Sequence, residues 1–153
     1  MKDVKTVAAY ICSRYEAVHG ERIDEMKLHK LLYFAQRESL IERDEPLFEG
    51  DFYGWRFGPV VTAIRDVYRN DAFEPVTDLG ADQKLVDAVI AEYGDKDAWS
   101  LSRLTHGEIS WKRSRVGVAP SENSSNLMPL SDIRADADRM RRRLQELDRY
   151  GLL

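Results

Sequence analysis

The sequence predicts a mainly α protein, a compact bundle of about six helices with a short β-ribbon or hairpin between the second and third. Three observations carry this expectation. Apolar residues recur at helical spacing through most of the 153 residues. One segment, Phe48 to Phe57, reads convincingly as extended. At Gly58-Pro59 that segment breaks, and helical spacing resumes at Val60, Ile64 and Val67. The length fits one domain, divided into a core over 3–115, a polar loop over 117–130 and a C-terminal helix over 131–149.

The elements follow in order. Val4, Val7, Ala8, Ile11 and Tyr15 mark a first helix that ends near His19-Gly20. Asp24 is placed to cap a second helix. Leu28, Leu31, Leu32 and Ala35 form its inner face, and Tyr33 and Phe34 widen it, which places this helix at the centre. It ends near Arg43-Asp44, before Pro46. In the extended segment Phe52, Gly54 and Arg56 share one face and Tyr53, Trp55 and Phe57 the other. A lone strand is unstable, so a partner is expected from Phe73 to Thr77 or from the region after Lys112. Pro59 is expected at the first position of a third helix, where its fixed φ and missing N–H are tolerated. Gly58 and Pro59 thus form a structural corner holding Trp55, Arg56 and Phe57.

Beyond a polar stretch over 70–80, Leu85, Val86, Val89, Ile90 and Tyr93 define a fourth helix closed by Gly94. Asp97 caps a fifth, through Leu101 and Leu104 to His106-Gly107. Ser131 is expected to cap the last helix, in which Ile133, Ala137, Met140, Leu144 and Leu147 are spaced 4, 3, 4, 3. Two heptads favour docking on the bundle over a coiled coil, with a homodimer through this seam as the alternative.

Composition narrows the function. The formal net charge is −4, which argues against a nucleic-acid affinity spread over the whole surface. No run approaches the ~18 apolar residues of a membrane helix. The N-terminus is amphipathic and unlike a signal peptide, so a cytoplasmic protein with no membrane partner is expected. The single cysteine, Cys12, lies on an apolar helix face and reads as a buried small residue. Zinc spacing, a phosphate loop and a nucleophile elbow are all missing, so neither a metal nor another cofactor is expected.

Few residues suggest chemistry. His19 sits at a helix end, where the dipole favours an imidazolium. His29 borders the inner face of the second helix and reads as a hydrogen-bonded core histidine. Thr105, His106 and Glu108 crowd another helix end ahead of Trp111. One reading makes His106 a general base oriented by Glu108; the plainer reading makes Thr105 and His106 tie off the helix while Trp111 packs below. Arg139, Arg141, Arg142 and Arg143 lie among acids. Pairs such as Asp138 with Arg142 describe a solvated face, with phosphate contact to operator DNA as the sharper alternative.

Three blocks in fixed order resemble a known family. They are Leu28-His29-Lys30-Leu31-Leu32-Tyr33-Phe34-Ala35-Gln36; Pro46-Leu47-Phe48 with Phe52-Tyr53-Gly54-Trp55-Arg56-Phe57-Gly58-Pro59-Val60; and Leu101 with Leu104-Thr105-His106-Gly107-Glu108 through Trp111. From about Val4 to Trp111 the chain is similar to the Panacea antitoxin domain, the phage-associated GepA-like family that includes the SocA proteolytic adapter. The resemblance implies an antitoxin that neutralises a cognate toxin, the product of the neighbouring gene, by direct protein–protein binding. It also implies, as an alternative, delivery of that toxin to an ATP-dependent protease. No enzyme activity is expected. An acidic inhibitor would complement a basic toxin. The expected partner-facing residues are Tyr53, Trp55, Arg56 and Phe57, with His106 and Trp111 forming or supporting the surface.

Overall fold

One helix organises the molecule, α2 (Glu25–Arg43), which buries 13 of its 19 residues in the computed structural model. The structure describes all residues, 1–153. Asp24 caps α2 by accepting from the Lys27 amide at 2.8 Å, and Asp44 ends it in the left-handed conformation. Apolar Leu28, Leu31 and Leu32 are fully enclosed, each worth about 1.5–3 kcal/mol against exposure. Because α2 is covered on nearly every side, its polar residues are drawn inside as well. Lys30, His29, Gln36 and Arg37 are all buried, and each must find a partner or a purpose.

Around α2 pack α1 (Val4–His19), α4 (Gln83–Tyr93), α5 (Ala98–His106) and α7 (Leu130–Arg149). A single cluster of 29 buried hydrophobic residues runs through them. Tyr93 of α4 stacks flat on Phe34 of α2 at 4.1 Å. Asp3 caps α1 through the Lys5 amide, left-handed Gly20 ends it, and Asp97 caps α5 through the Ser100 amide. The short helices α3 (Arg65–Arg69) and α6 (Ile109–Ser114) complete the set. The fold is therefore mainly α with a hairpin between α2 and α3, as expected. No helix is long and apolar enough to cross a membrane.

Several local expectations are corrected. Pro59 does not start a helix. Gly58–Val60 forms β4, antiparallel to β3 (Phe52–Trp55), with Trp55 opposite Gly58 and Arg56-Phe57 as the turn. Proline is tolerated there because β4 is an edge strand. Helical structure resumes only at Thr62, first as a 3₁₀ turn over Thr62–Ile64 and then as α3. The second partner of β3 is β5 (Leu127–Met128), which does come from the region after Lys112, one of the two expected sources. Phe73 to Thr77 is irregular. Lys2–Asp3 (β1) pairs in parallel with Phe48–Glu49 (β2), a contact without local periodicity to announce it.

The last helix starts at Leu130 with Pro129 at the cap position and no side-chain cap, so Ser131 lies inside the first turn. Its seam is used only in part. Ile133 and Ala137 are buried on the bundle, whereas Leu144 is 37% exposed. Asp138 pairs with Arg141 at 2.9 Å rather than with Arg142. Cys12 is half-buried at the core edge, and burial pushes its thiol up to about 11.

Candidate partner-binding site

The hairpin corner is fastened to the bundle from beneath. The Trp111 indole donates to the Trp55 carbonyl at 2.9 Å, and the Ser102 hydroxyl donates to the Phe57 carbonyl at 2.6 Å. His106 stacks on Trp111 with ring centroids 4.0 Å apart and planes 11° from parallel. Two glycines permit the fit. Gly58 has φ +121°, and a Cβ there would meet Thr105 Oγ1 at 2.6 Å and Lys30 Cε at 2.7 Å. A Cβ on Gly54 would lie 1.8 Å from Ser114 Oγ, so only glycine lets β3 approach α6 this closely.

The polar loop is part of the site. Arg115 donates to the carbonyls of Gly54, Ala119 and Glu122 at 3.0, 2.8 and 2.6 Å, and Asn123 Oδ1 accepts from the Arg56 amide at 3.1 Å. Composition marks this stretch as a connector, but the structure fastens it along the hairpin as a wall.

The structure thus brings together all six residues expected to face or support a partner. Tyr53, Trp55 and Phe57 are half-exposed and Arg56 is exposed, while His106 and Trp111 are half-buried behind them. Phe52 and Gly54 turn inward and Tyr53 and Trp55 outward, as their alternation indicates, but Arg56, expected on the inward face, is exposed because the strand ends at Trp55 and Arg56 lies in the turn. Arg65 lies over the Trp55 ring at 4.6 Å and Arg56 over the Phe57 ring at 4.7 Å. Trp99 was missed. It is 55% exposed and meets Phe57 edge-on at 5.0 Å, extending the aromatic surface onto α5. Its sequence signal is faint, a single large ring in the first turn after a cap.

The pairing of His106 with Glu108 does not form. Glu108 faces inward, accepting from Arg37 at 2.9 Å and from the Tyr33 hydroxyl at 2.7 Å. His106 Nε2 instead lies 3.4 Å from the Ser102 hydroxyl. Burial holds the His106 pKa below the usual histidine value; Lys30 and Arg115 add to this and the backbone of Arg56 opposes it. Thr105 ties its hydroxyl to the Ser102 carbonyl at 2.8 Å, in keeping with the plainer reading.

His29 is a core residue. Its Nδ1 accepts from the Val61 amide at 3.2 Å, which puts the proton on Nε2, 3.1 Å from Glu25. His19, at the end of α1, stacks on Tyr15 at 4.1 Å. No group of three or more His, Cys, Asp or Glu side chains is placed to hold a metal.

A buried polar network lies under the corner. The Tyr33 hydroxyl also meets Asp136 of α7 at 2.8 Å. Asp136 accepts from the Ile109 amide at 2.6 Å, the Ser110 amide at 3.3 Å and the Ser110 hydroxyl. It therefore caps α6 from another helix, since the α6 cap residue Glu108 supplies no side-chain bond of its own. Burial beside Glu108 and Asp136 raises the Tyr33 pKa far above the usual phenol value, keeping it a neutral donor. The site is a braced aromatic surface in which His106 and Glu108 face different partners.

The model of the SocA-like antitoxin Panacea domain matches residues 28–112 of this chain. That stretch runs from α2 through the hairpin to α6. The chain belongs to the SocA-like Panacea family. The likeness expected from Val4 onward is narrower in the family match, which leaves out α1 and α7. Antitoxin SocA of Caulobacter vibrioides (strain NA1000 / CB15N) is 47% identical over 58 residues, 38% of this chain and 30% of that relative's length. No solved structure matches. The Panacea segment contains the corner, its fastening residues and most of the buried network. Asp136 and the wall at Asn123 come from outside it.

Proposed function

We propose that this Panacea-family chain is an antitoxin that neutralises the toxin encoded beside it by direct binding. The contact is made by the outer surface of the hairpin, with Trp55, Arg56 and Phe57 at its centre. One observation carries this reading: half-exposed Trp55 and Phe57 and exposed Trp99 form a patch on a corner braced from below. Rigid aromatic and arginine groups are the residue types that dominate protein interfaces, because they bury much area and lose little conformational freedom. Tyr53 sits at one margin, while His106 and Trp111 act as the brace. The chain works by occupancy and not by turnover; His106 and Glu108 facing different partners supports this.

Co-expression with the neighbouring gene tests the proposal. The wild-type chain is expected to restore growth and to co-purify with the toxin. Trp55→Ala, which removes a half-exposed ring and leaves the Trp55 carbonyl in place, is expected to weaken the complex at least tenfold, a loss of about 1.4 kcal/mol or more. Full protection by a folded Trp55→Ala, Phe57→Ala double variant would overturn the assignment. Toxin half-life in protease-deficient cells separates simple occupancy from delivery to an ATP-dependent protease.

A further inference from the structure

We propose that the cleft beside the hairpin corner is an oxyanion site, receiving a carboxylate or phosphate group with the Lys30 ammonium as its counter-charge. The cleft holds about 440 Å³ and is lined by the cations Lys30, Arg56 and Arg65 and by one carboxylate, Glu25, beside His29, with Trp55 and Phe57 as apolar walls and Asn123 at the loop side. That volume falls in the range of small-ligand pockets.

Lys30 is the unusual member. It is 1% exposed, its stem packed beneath Gly58, yet it opens on the cleft and forms no hydrogen bond or ion pair within the protein. Both acids that favour its charge are committed elsewhere. Asp24 caps α2, and Glu25 is shared among His29, Arg65 and Arg69 at 3.1, 3.1 and 3.2 Å. Burial holds His29 and His106 below the usual histidine pKa, with Lys30 adding to the effect, so both are neutral and offer the ammonium no counter-charge. An ammonium on so buried a stem, reached only from the cleft and without a protein partner, opposes folding. Such a group is typical of a functional site, where an incoming charge completes it. The rim adds Arg56, which has no ion-pair partner, and Arg65, which shares Glu25, so the cleft keeps an excess of positive charge although the chain as a whole carries −4. The incoming group is therefore anionic at this point whatever the partner's overall charge, and the rings on either side suit one attached to a flat or apolar body.

The site stands on the cleft alone and does not need the toxin, so the test begins with the full chain by itself. Inorganic phosphate and acetate are titrated separately while the lysine side chains are followed by ¹³C NMR. One lysine resonance is expected to move saturably, and that resonance and the binding are both expected to be lost in Lys30→Met. In the wild-type chain, phosphate is also expected to slow reductive methylation of Lys30 several-fold, read by peptide mass spectrometry, while the other lysines react unchanged. This second measurement decides the matter should Lys30→Met fail to fold. A Lys30 that responds to neither anion, or binding that persists in a folded Lys30→Met, would overturn the proposal.

In the complex with the neighbouring gene product, a Lys30 already shielded and insensitive to phosphate identifies an acidic side chain of that polypeptide as the source. Continued protection by phosphate identifies a free small anion instead. Failure to form any complex would remove the antitoxin reading and leave the oxyanion site to be judged on the free chain.

Discussion

At the residue scale, the buried cations of α2 are held in two different ways. Arg37 is paired with Glu108 at 2.9 Å and reaches the Tyr93 hydroxyl at 3.0 Å, so its charge is matched inside the protein although its buried Nε has no partner. Lys30 has no such match, and burial lowers its pKa from 10.5 to about 8. The sign of the consequence is fixed. The unfolded chain holds the Lys30 proton up to pH 10.5 and the folded chain releases it near 8, so the unfolded state binds more protons between those values. Stability contributed at this site therefore rises with pH from about 8 to 10.5 and is lowest when the ammonium is charged. At about 1.36 kcal/mol per unit, the penalty below pH 8 is of order 3 kcal/mol. Lys30→Met is expected to raise the chemical denaturation midpoint at pH 7 and to flatten its pH dependence above 8. A lower midpoint would show that the ammonium is paired. Lys30 is plain in the sequence as one position of a helical block, but its isolation depends on where Asp24 and Glu25 spend their charges.

At the element scale, α6 depends on α7 for its start. It is six residues long, too short to persist alone, and its first amides are satisfied by Asp136 from 26 and 27 residues away. Asp136→Ala would remove this cap and leave the Ser110 hydroxyl without its acceptor, while the single Tyr33 proton keeps Glu108. Loss of several buried hydrogen bonds of this type is expected to cost about 3 kcal/mol in denaturant unfolding. Because Trp111 of α6 holds the Trp55 carbonyl, the same variant is expected to speed hydrogen exchange at the hairpin amides. A change confined to α7 would show that the two elements are not coupled. The α6 helix was not legible in advance, since six residues carry too little periodicity and the cap comes from elsewhere. The third helix was misplaced at Pro59 for a related reason. Proline is compatible with both a helix start and an edge strand, and only the pairing of Gly58–Val60 with β3 chooses between them.

At the scale of the whole molecule, the two ends of α7 behave differently. Its first turns carry buried Ile133, Asp136 and Ala137, and Arg141 donates to the Leu40 and Ile41 carbonyls at the end of α2. Past Arg143 most of the helix is exposed, with Leu147 half-buried. Leu144 is 37% and Tyr150 70% exposed. Deleting residues 144–153 is expected to cost less than about 1 kcal/mol of stability, because little surface is uncovered. Thermal unfolding of the shortened chain checks this. If light scattering shows the full chain to be a dimer and the shortened chain a monomer, the unused half of the seam is the dimer contact.

Periodicity and caps alone determined the mainly α class, the central place of α2, most helix ends and the extended run from Phe52 to Trp55, because these are local consequences of side-chain shape and backbone preference. Tertiary structure alone decided what the polar residues do. It turned Glu108 away from His106, recruited the loop over 117–126 as a wall, joined Trp99 to the aromatic patch and left Lys30 facing the cleft with no counter-charge. The physical reason is that a charge or hydroxyl is defined by its neighbours in space, and those neighbours are supplied by elements far apart in the chain.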